Sequence, residues 1–592
     1  MTNSMNLKVR MRNALSLIVL FALATSCARE ESTPMAEQAD LVLTNATVWT
    51  VDDAQPHAEA VAIAGGRIIA VGNTADVMLH KGPDTQVIDL DGAFVLPGFN
   101  DNHIHFGSAA SFHEFNIMRA STQEEFVARM QAAVDGLQDG EWITGGFWGA
   151  YDQWAFGSSG GEQKKPFTPD MKLVEEITKD HPVFIRKFDS SEFAVNERAL
   201  AAIEIGPADL KNNGIAFVRN DAGEFTGIIR GDRSTIMGLF GSVIPKVSHE
   251  RRLQQSRQAL RLIAEAGVTN VSDMSDWAQL DIFRELHEAG ELTTRIHFRP
   301  QMEDWPKLEE MGAAIGSGDA WIRLGAVKSH IDGIMGTSSA RFFEPYDSDP
   351  TTRGGWRKLV VDENGEFAEG QFLAYMLKAD AAGLQLSVHA IGDEANHLLL
   401  NYLEELIEQN GPKERRFRLV HAQVIAEADF ERLGPLDIVA EVQPYHLSDD
   451  MRWMEERIGT ERCRGAYAFK SIVESGATLS FGTDWPGTSA AEYPISPMLG
   501  LYAAVTRQTV TGDPPDGWFP EQRITIEQAI RAYTLNSAYA NFEADTKGSI
   551  EVGKFADITV LDRNLLEIEP REYLETSVLY TIVNGKIVYE PD

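Results

Sequence analysis

Gly98-Phe99-Asn100-Asp101-Asn102-His103-Ile104-His105 is the stretch on which the reading of this 592-residue chain turns. It follows the apolar run Ala93-Phe94-Val95-Leu96, broken by Pro97, which sets the two histidines on a strand or just past its end. Side chains alternate along a strand, so residues two apart point to one face. Two neutral imidazoles on one face make half of a metal site. An isolated His-x-His more commonly caps a strand or packs in a core, and here the context decides against that. Three later apolar runs, 322–328, 384–389 and 417–421, end in Lys328, His389 and His421, and a fourth, 478–484, ends in the carboxylate of Asp484.

At this length the chain exceeds one compact core and should hold more than one domain. Its 43% hydrophobic and 24% charged residues are ordinary for a soluble globular protein. A net charge of −35 and a pI near 4.8 argue against nucleic acid as a partner, since phosphates would be repelled. The charge is spread along the chain, as on a solvated surface. A small-molecule substrate remains the expected partner.

The first residues read as an export signal. Lys8, Arg10 and Arg12 precede an apolar run over 14–23 that is too short to span a bilayer. Ala24-Thr25-Ser26 then leads into Cys27, which resembles a bacterial lipoprotein cleavage box, although Leu is commoner than Ala at its first position. On this reading residues 1–27 are removed up to an acylated Cys27, and 28–39 form a tether. The protein is then lipid-anchored to a bacterial membrane, outside the cytoplasm and facing the periplasm, with membrane contact through the anchor only. Only Cys463 remains as a second cysteine, so no internal disulfide can form; a buried thiol is expected there.

Short alternating segments at 41–43, 60–64, 67–72 and 86–90 have counterparts at 548–553, 556–561 and 583–589. Residues 40–97 and 546–592 are therefore expected to form one composite β-sandwich. Between them, strand-like runs alternate with helical ones over 250–266, 370–382, 397–409 and 526–540. That alternation, with candidate ligands at C-terminal strand ends, predicts an α/β fold: a (β/α)8 TIM-like barrel over 98–545 with its site on that face. Counting back from Lys328, 294–299 and 268–273 are the two preceding strands, which leaves 107–249 as an insertion after the first strand. It carries Trp142, Phe147, Trp148, Tyr151, Trp154 and the run 182–188, and is expected to cover the substrate.

The ordered set of His-x-His, Lys, His, His and Asp on successive strands, flanked by a split terminal sandwich, resembles the amidohydrolase superfamily and, within it, the amidohydrolase 3 (YtcJ-like) group. The resemblance runs from about Asp40 to the C-terminus through LPGFNDNHIHF, GVTNVSDM, GAVKSHIDGIMGTSSARFFEPY, VHAIGDEAN, HAQVI, VQPYHLSDD, GAYAFKSIVESGATLSFGTDWP and KGSIEVGKFADITVLD. It implies that His103 and His105 bind the more buried of two metals, that His389 and His421 bind the second, and that Lys328 bridges them. An ammonium between two dications would be repelled, whereas a neutral amine can add CO₂ to become an anionic, two-oxygen carbamate ligand. The competing reading pairs Lys328 as a cation with Asp332 and leaves a mononuclear site. Zinc is the first expectation for the metal, with manganese, iron or cobalt suited to the same donors.

Asp484 is the residue expected to be catalytic, touching the first metal and taking a proton from a metal-activated water before returning it to a leaving nitrogen. Asp332, Asp393, His446 with Asp449, and Tyr445 sit where loops of the same face are expected, and each could orient a ligand, touch substrate or cap a turn. Trp148, Trp154, Tyr445 and Trp485 suggest a partly apolar substrate. The chain departs from the group at Asp189-Ser190-Ser191, where Asp-Gly-His is common, and at Arg230-Gly231, so a relative's substrate does not carry over directly. The expected activity is metal-dependent hydrolysis of a carbon–nitrogen bond in a small amide. The alternatives are the same chemistry on an ester, lactone or cyclic amide, or a noncatalytic surface-binding lipoprotein that retains the barrel.

Overall fold

Eight parallel strands follow one another in a computed structural model of the chain: Phe99–Ile104, Val268–Asp273, Arg295–Phe298, Ala326–His330, Gln385–Ala390, Phe417–His421, Ile438–Val442 and Thr478–Phe481. The structure describes residues 37–591 except 119, 121, 150–167, 188–189, 205–213, 369 and 488–490. Cys27 and most of the expected tether, and Tyr151, Trp154 and Asp189 of the insertion, lie outside the described residues. The first three strands form one ladder with Ile322–Arg323, and the last five form another. Parallel bridges Gln301↔Lys328 and Ile104↔Trp485 join the two ladders at both seams, so the order returns to its start as a (β/α)8 barrel requires.

The helices between strands begin where short polar side chains cap them. Ser248 accepts the Arg251 amide ahead of His249–Glu265, and Asp276 accepts the Gln279 amide ahead of Trp277–Glu288. The helix expected over 397–409 starts earlier, as Asp393–Asn410, because Asp393 and Glu394 favour the positive end of the helix dipole. The one expected over 526–540 is two, Ile526–Tyr533 and Leu535–Ala540. Thr534 breaks it with non-helical backbone at φ −126°, ψ −92°, and its carbonyl accepts both the Ala538 amide of the second helix and Asn100 Nδ2 from the first barrel strand.

A six-stranded sheet places early and late segments of the described residues side by side, in the order Lys586–Tyr589, Val578–Val583, Ile558–Leu561, Phe94–Pro97, Thr47–Trp49 and His57–Ala58. A four-stranded sheet of Arg67–Gly72, Ala60–Ala64, Ala39–Thr44 and Lys81–Asp89 packs against it through Leu43, Val61, Ile63, Val95, Ile558 and Ile582. The expected strand at 548–553 is irregular, since Gly548 and Gly553 both take left-handed backbone at φ +90° and +94°. Arg295 of the third barrel strand reaches Asp557 with two bonds of 2.7 and 2.9 Å and ties barrel to sandwich.

The insertion after the first strand is a folded layer of its own. Its five strands run in the order Ala216–Arg219, Phe225–Arg230, Phe193–Val195, Val183–Lys187 and Ile143–Trp148. Two apolar clusters hold it, one around Phe126, Met130, Trp148 and Val183 and the other around Trp142, Phe184, Ile229 and Phe240. Trp148, expected near substrate, is only 1% exposed and sits in the first of these cores. A large ring buries more apolar area among strands than over an open mouth. Among the described residues no helix is long and apolar enough to cross a membrane.

Candidate active site

Beneath the C-terminal mouth of the barrel lies a buried polar floor. Glu441, on the seventh strand, accepts Arg299 Nη1 at 2.9 Å and Arg418 Nε at 2.6 Å, and both guanidinium groups also bond the Asn102 carbonyl. All three side chains are sealed from solvent. Two cations against one anion leave the floor net positive.

His103 stands on this floor. Its Nδ1 lies 2.5 Å from Glu441 Oε1, which fixes the proton there and leaves Nε2 as a lone-pair donor toward the mouth. His421 is arranged alike, its Nδ1 donating to Gln443 Oε1 at 2.6 Å, whereas His389 donates from Nε2 to the Gly333 carbonyl at 3.0 Å. The rings converge: 5.0 Å separates the centroids of His103 and His421, and 4.5 Å those of His389 and His421.

Asp484, three residues past the last strand, meets them. Its Oδ1 is 3.4 Å from His103 Nε2 and 3.2 Å from His105 Nε2, and its Oδ2 is 3.8 Å from His446 Nε2. Two donors about 2.1 Å from one tetrahedral ion stand roughly 3.4 Å apart. The spacing therefore fits a shared cation. The ligand atoms of His103, His105 and Asp484 lie within 4.8 Å of one another, as do those of His421, His446 and Asp484. Asp484 Oδ1 and His446 Nε2 are buried without a hydrogen bond, which a metal ion would relieve. His421 and Asp484 both hold left-handed backbone, φ +69° and +59°, a strain that aims them.

Burial and neighbouring charge set the protonation of these groups. Burial pulls His103 down to about 3, against the attraction of Asp484 and Glu441. His421 is pulled well below the ordinary imidazole range by burial and then by His389 and His103. Burial opposes the charge of Asp484, yet His103, His105 and His421 hold its carboxyl well below the usual range. Lys328, 1% exposed, is pulled down to about 7 by burial and then by Arg299. Among the described residues no carboxylate pairs with it: Asp332 instead accepts the amides of Arg341, Ile391 and Gly392.

Comparison with known proteins agrees with this geometry. The model of the amidohydrolase family matches residues 86–589. The chain belongs to the amidohydrolase family. Amidohydrolases of this kind are metal-dependent enzymes that hydrolyse carbon–nitrogen bonds other than peptide bonds. Over 570 residues, 94% of this amidohydrolase and 92% of its relative, the chain is 31% identical to the protein LONG AFTER FAR-RED 3 of Arabidopsis thaliana. It is 25% identical to an N-substituted formamide deformylase of Arthrobacter pascens, over 94% of this chain and 99% of that one. An uncharacterized metal-dependent hydrolase from Pyrococcus horikoshii superposes with a TM-score of 0.69 at 26% identity, covering 90% of this chain and 99% of that one.

The weaker candidates of this amidohydrolase take different places around the site. His446 lines the metal cavity and stacks 3.8 Å from Tyr493, while Tyr445 packs edge-on to Tyr493 and is not part of the cavity wall. Asp332 organises backbone beneath His389, and Asp393 accepts the Phe343 amide at the head of its helix. Trp485 is buried below the site, its Nε1 bonded to His113. Arg230 pairs with Glu192 inside the insertion. The sequence reading missed His330, two residues after Lys328 and so on the same face, as well as the floor residues Arg299, Arg418 and Glu441. The period-2 rule that singled out His103 and His105 would have found His330.

Proposed function

We propose that this amidohydrolase cleaves the carbon–nitrogen bond of a small, partly apolar amide. The observation that carries the reading is Asp484 Oδ1, buried and unbonded between the Nε2 atoms of His103 and His105 at 3.4 and 3.2 Å. His103, His105, Lys328, His389, His421 and Asp484 would hold one or two divalent ions, zinc first among them. Such ions supply Lewis acidity toward a carbonyl oxygen and ease the ionisation of water.

Asp484 acts as general base and then general acid. It takes the proton of the attacking water and delivers it to the nitrogen as the C–O bond forms and the C–N bond breaks. Lys328 supports the carbamate because it is a buried amine with no ionic partner among the described residues, above a net-positive floor. Its nitrogen bonds to CO₂ and releases a proton, and the product is the anion that an imidazole-rich donor set lacks. The N-substituted formamide deformylase among its relatives favours cleavage at nitrogen.

Substrate size follows from two neighbouring cavities. The metal cavity holds about 240 Å³, and a second of about 630 Å³ shares His105 and Gly487 with it. Phe112, Phe147 and Met274 line the second, which suits an apolar arm of the substrate. The N-terminal signal and Cys27 add a lipid anchor to the reading, with the enzyme held outside the cytoplasm; Cys27→Ser should release it from the membrane fraction.

The test of function uses soluble, metal-loaded enzyme on a panel of N-acyl amino acids, aryl amides, N-substituted formamides and matched esters. Turnover of amides, lost by 10² or more in Asp484→Asn at unchanged metal content, is expected. An Asp484→Asn protein with full turnover would remove the mechanism.

A further inference from the structure

Among the described residues, the metal cavity contains one cation that the metal centre does not use. Arg357 lines it from the long segment after the fourth strand. Its backbone is stitched to the chain just beyond that strand: the Arg357 amide bonds the Ile331 carbonyl at 3.0 Å, and Trp356 bridges Asp332. Its Nε donates to the Asp332 carbonyl at 2.9 Å. Those bonds fix the stem and the plane of the guanidinium. The two terminal nitrogens make no hydrogen bond or ion pair with any described residue.

The anions on the cavity wall are engaged elsewhere. Asp484 faces His103 and His105, and Asp450 accepts Gln423 Nε2 at 2.6 Å and the Tyr467 hydroxyl at 2.7 Å. Apolar Ile334, Met335 and Ile391 make up wall between. An arginine held in one plane, with its outer edge open beside apolar surface, is built to receive a planar two-oxygen anion.

We propose that Arg357 anchors a carboxylate of the substrate, so that the preferred substrates are amides that carry a carboxylate beside an apolar group. The scissile bond in that description rests on the hydrolytic reading above; the anchor does not. Arg357 is a specificity residue and takes no proton in the reaction.

The test measures binding in the metal-loaded enzyme, apart from turnover. Calorimetric titration compares 3-phenylpropanoate with its neutral isostere, 3-phenylpropanamide, in wild type, Arg357→Gln and Arg357→Lys. Wild type should bind the acid roughly tenfold more tightly than the amide. Arg357→Gln should abolish that ratio, and Arg357→Lys, a point charge without the fork, should keep only part of it. Equal binding of acid and amide by wild type would overturn the proposal. So would an acid preference that survives in Arg357→Gln, since the anion would then be resting on the metals. Should Arg357→Gln not fold, an undiminished ratio in Arg357→Lys would equally contradict the bidentate anchor. Arg357-dependent binding without hydrolysis of any amide would sink the proposed reaction and leave the anchor standing.

Discussion

Glu441 Oε1 lies 2.5 Å from Nδ1 of His103 while the same carboxylate receives Arg299 and Arg418. One buried anion thus orients a ligand and balances two buried cations. Glu441→Gln leaves both guanidinium groups without a counter-charge, which should cost roughly 3–5 kcal/mol of stability. The ring of His103 also loses the partner that fixes its tautomer, so metal affinity should fall about 10- to 100-fold. Denaturant titration and competition with a metal indicator measure the two effects; a variant with unchanged metal affinity would detach His103 from Glu441.

Gly482 brings the last strand against the first. A Cβ there would stand 2.6 Å from the His103 amide nitrogen and 2.7 Å from its Cβ. Gly482→Ala must push the strands apart and strain the 2.7 Å bond from the Asp484 amide to the His103 carbonyl. A loss of about 1–3 kcal/mol is expected from overpacking, with a drop in metal content. Gly72→Ala, where nothing lies within 4 Å, is the control and should leave metal content unchanged. Metal analysis of the two variants side by side decides it.

Cys463 is fully buried, and burial, followed by Glu455, pushes its thiol up to about 12. The folded state keeps that proton above pH 9, where an unfolded thiol releases it, so the unfolded state binds fewer protons. Stability should therefore fall as pH rises from 9 toward 12, with a slope from this one group of about 1.4 kcal/mol per unit. Cys463→Ala should lack that increment in chemical denaturation at pH 9 and 11. Equal pH slopes in the two proteins would contradict the sealed thiol.

The parts of the site that could be read from sequence share one property: they are donors placed at the ends of apolar runs. His103, His105, Lys328, His389, His421 and Asp484 all obey it. Glu441, Arg299 and Arg418 escaped because nothing local marks a buried charge as paired; their partners lie on other strands. Arg357 owes its place to pairing with residues 331 and 332, across a loop with no periodicity. Trp148 shows the reverse error, since an aromatic in an insertion reads alike whether it covers a pocket or fills a core. For the fold, the alternation of strand and helix carried the barrel, and the left-handed glycines at 548 and 553 erased one expected strand.

The most direct measurement is anomalous diffraction from crystals of the metal-loaded enzyme, with metal content assayed before and after chelation. The account predicts an ion bonded to His103 Nε2, His105 Nε2 and Asp484, with any second ion against His421, and turnover that disappears on chelation and returns with the metal. Ions bound elsewhere, or full activity in metal-free protein, would contradict it.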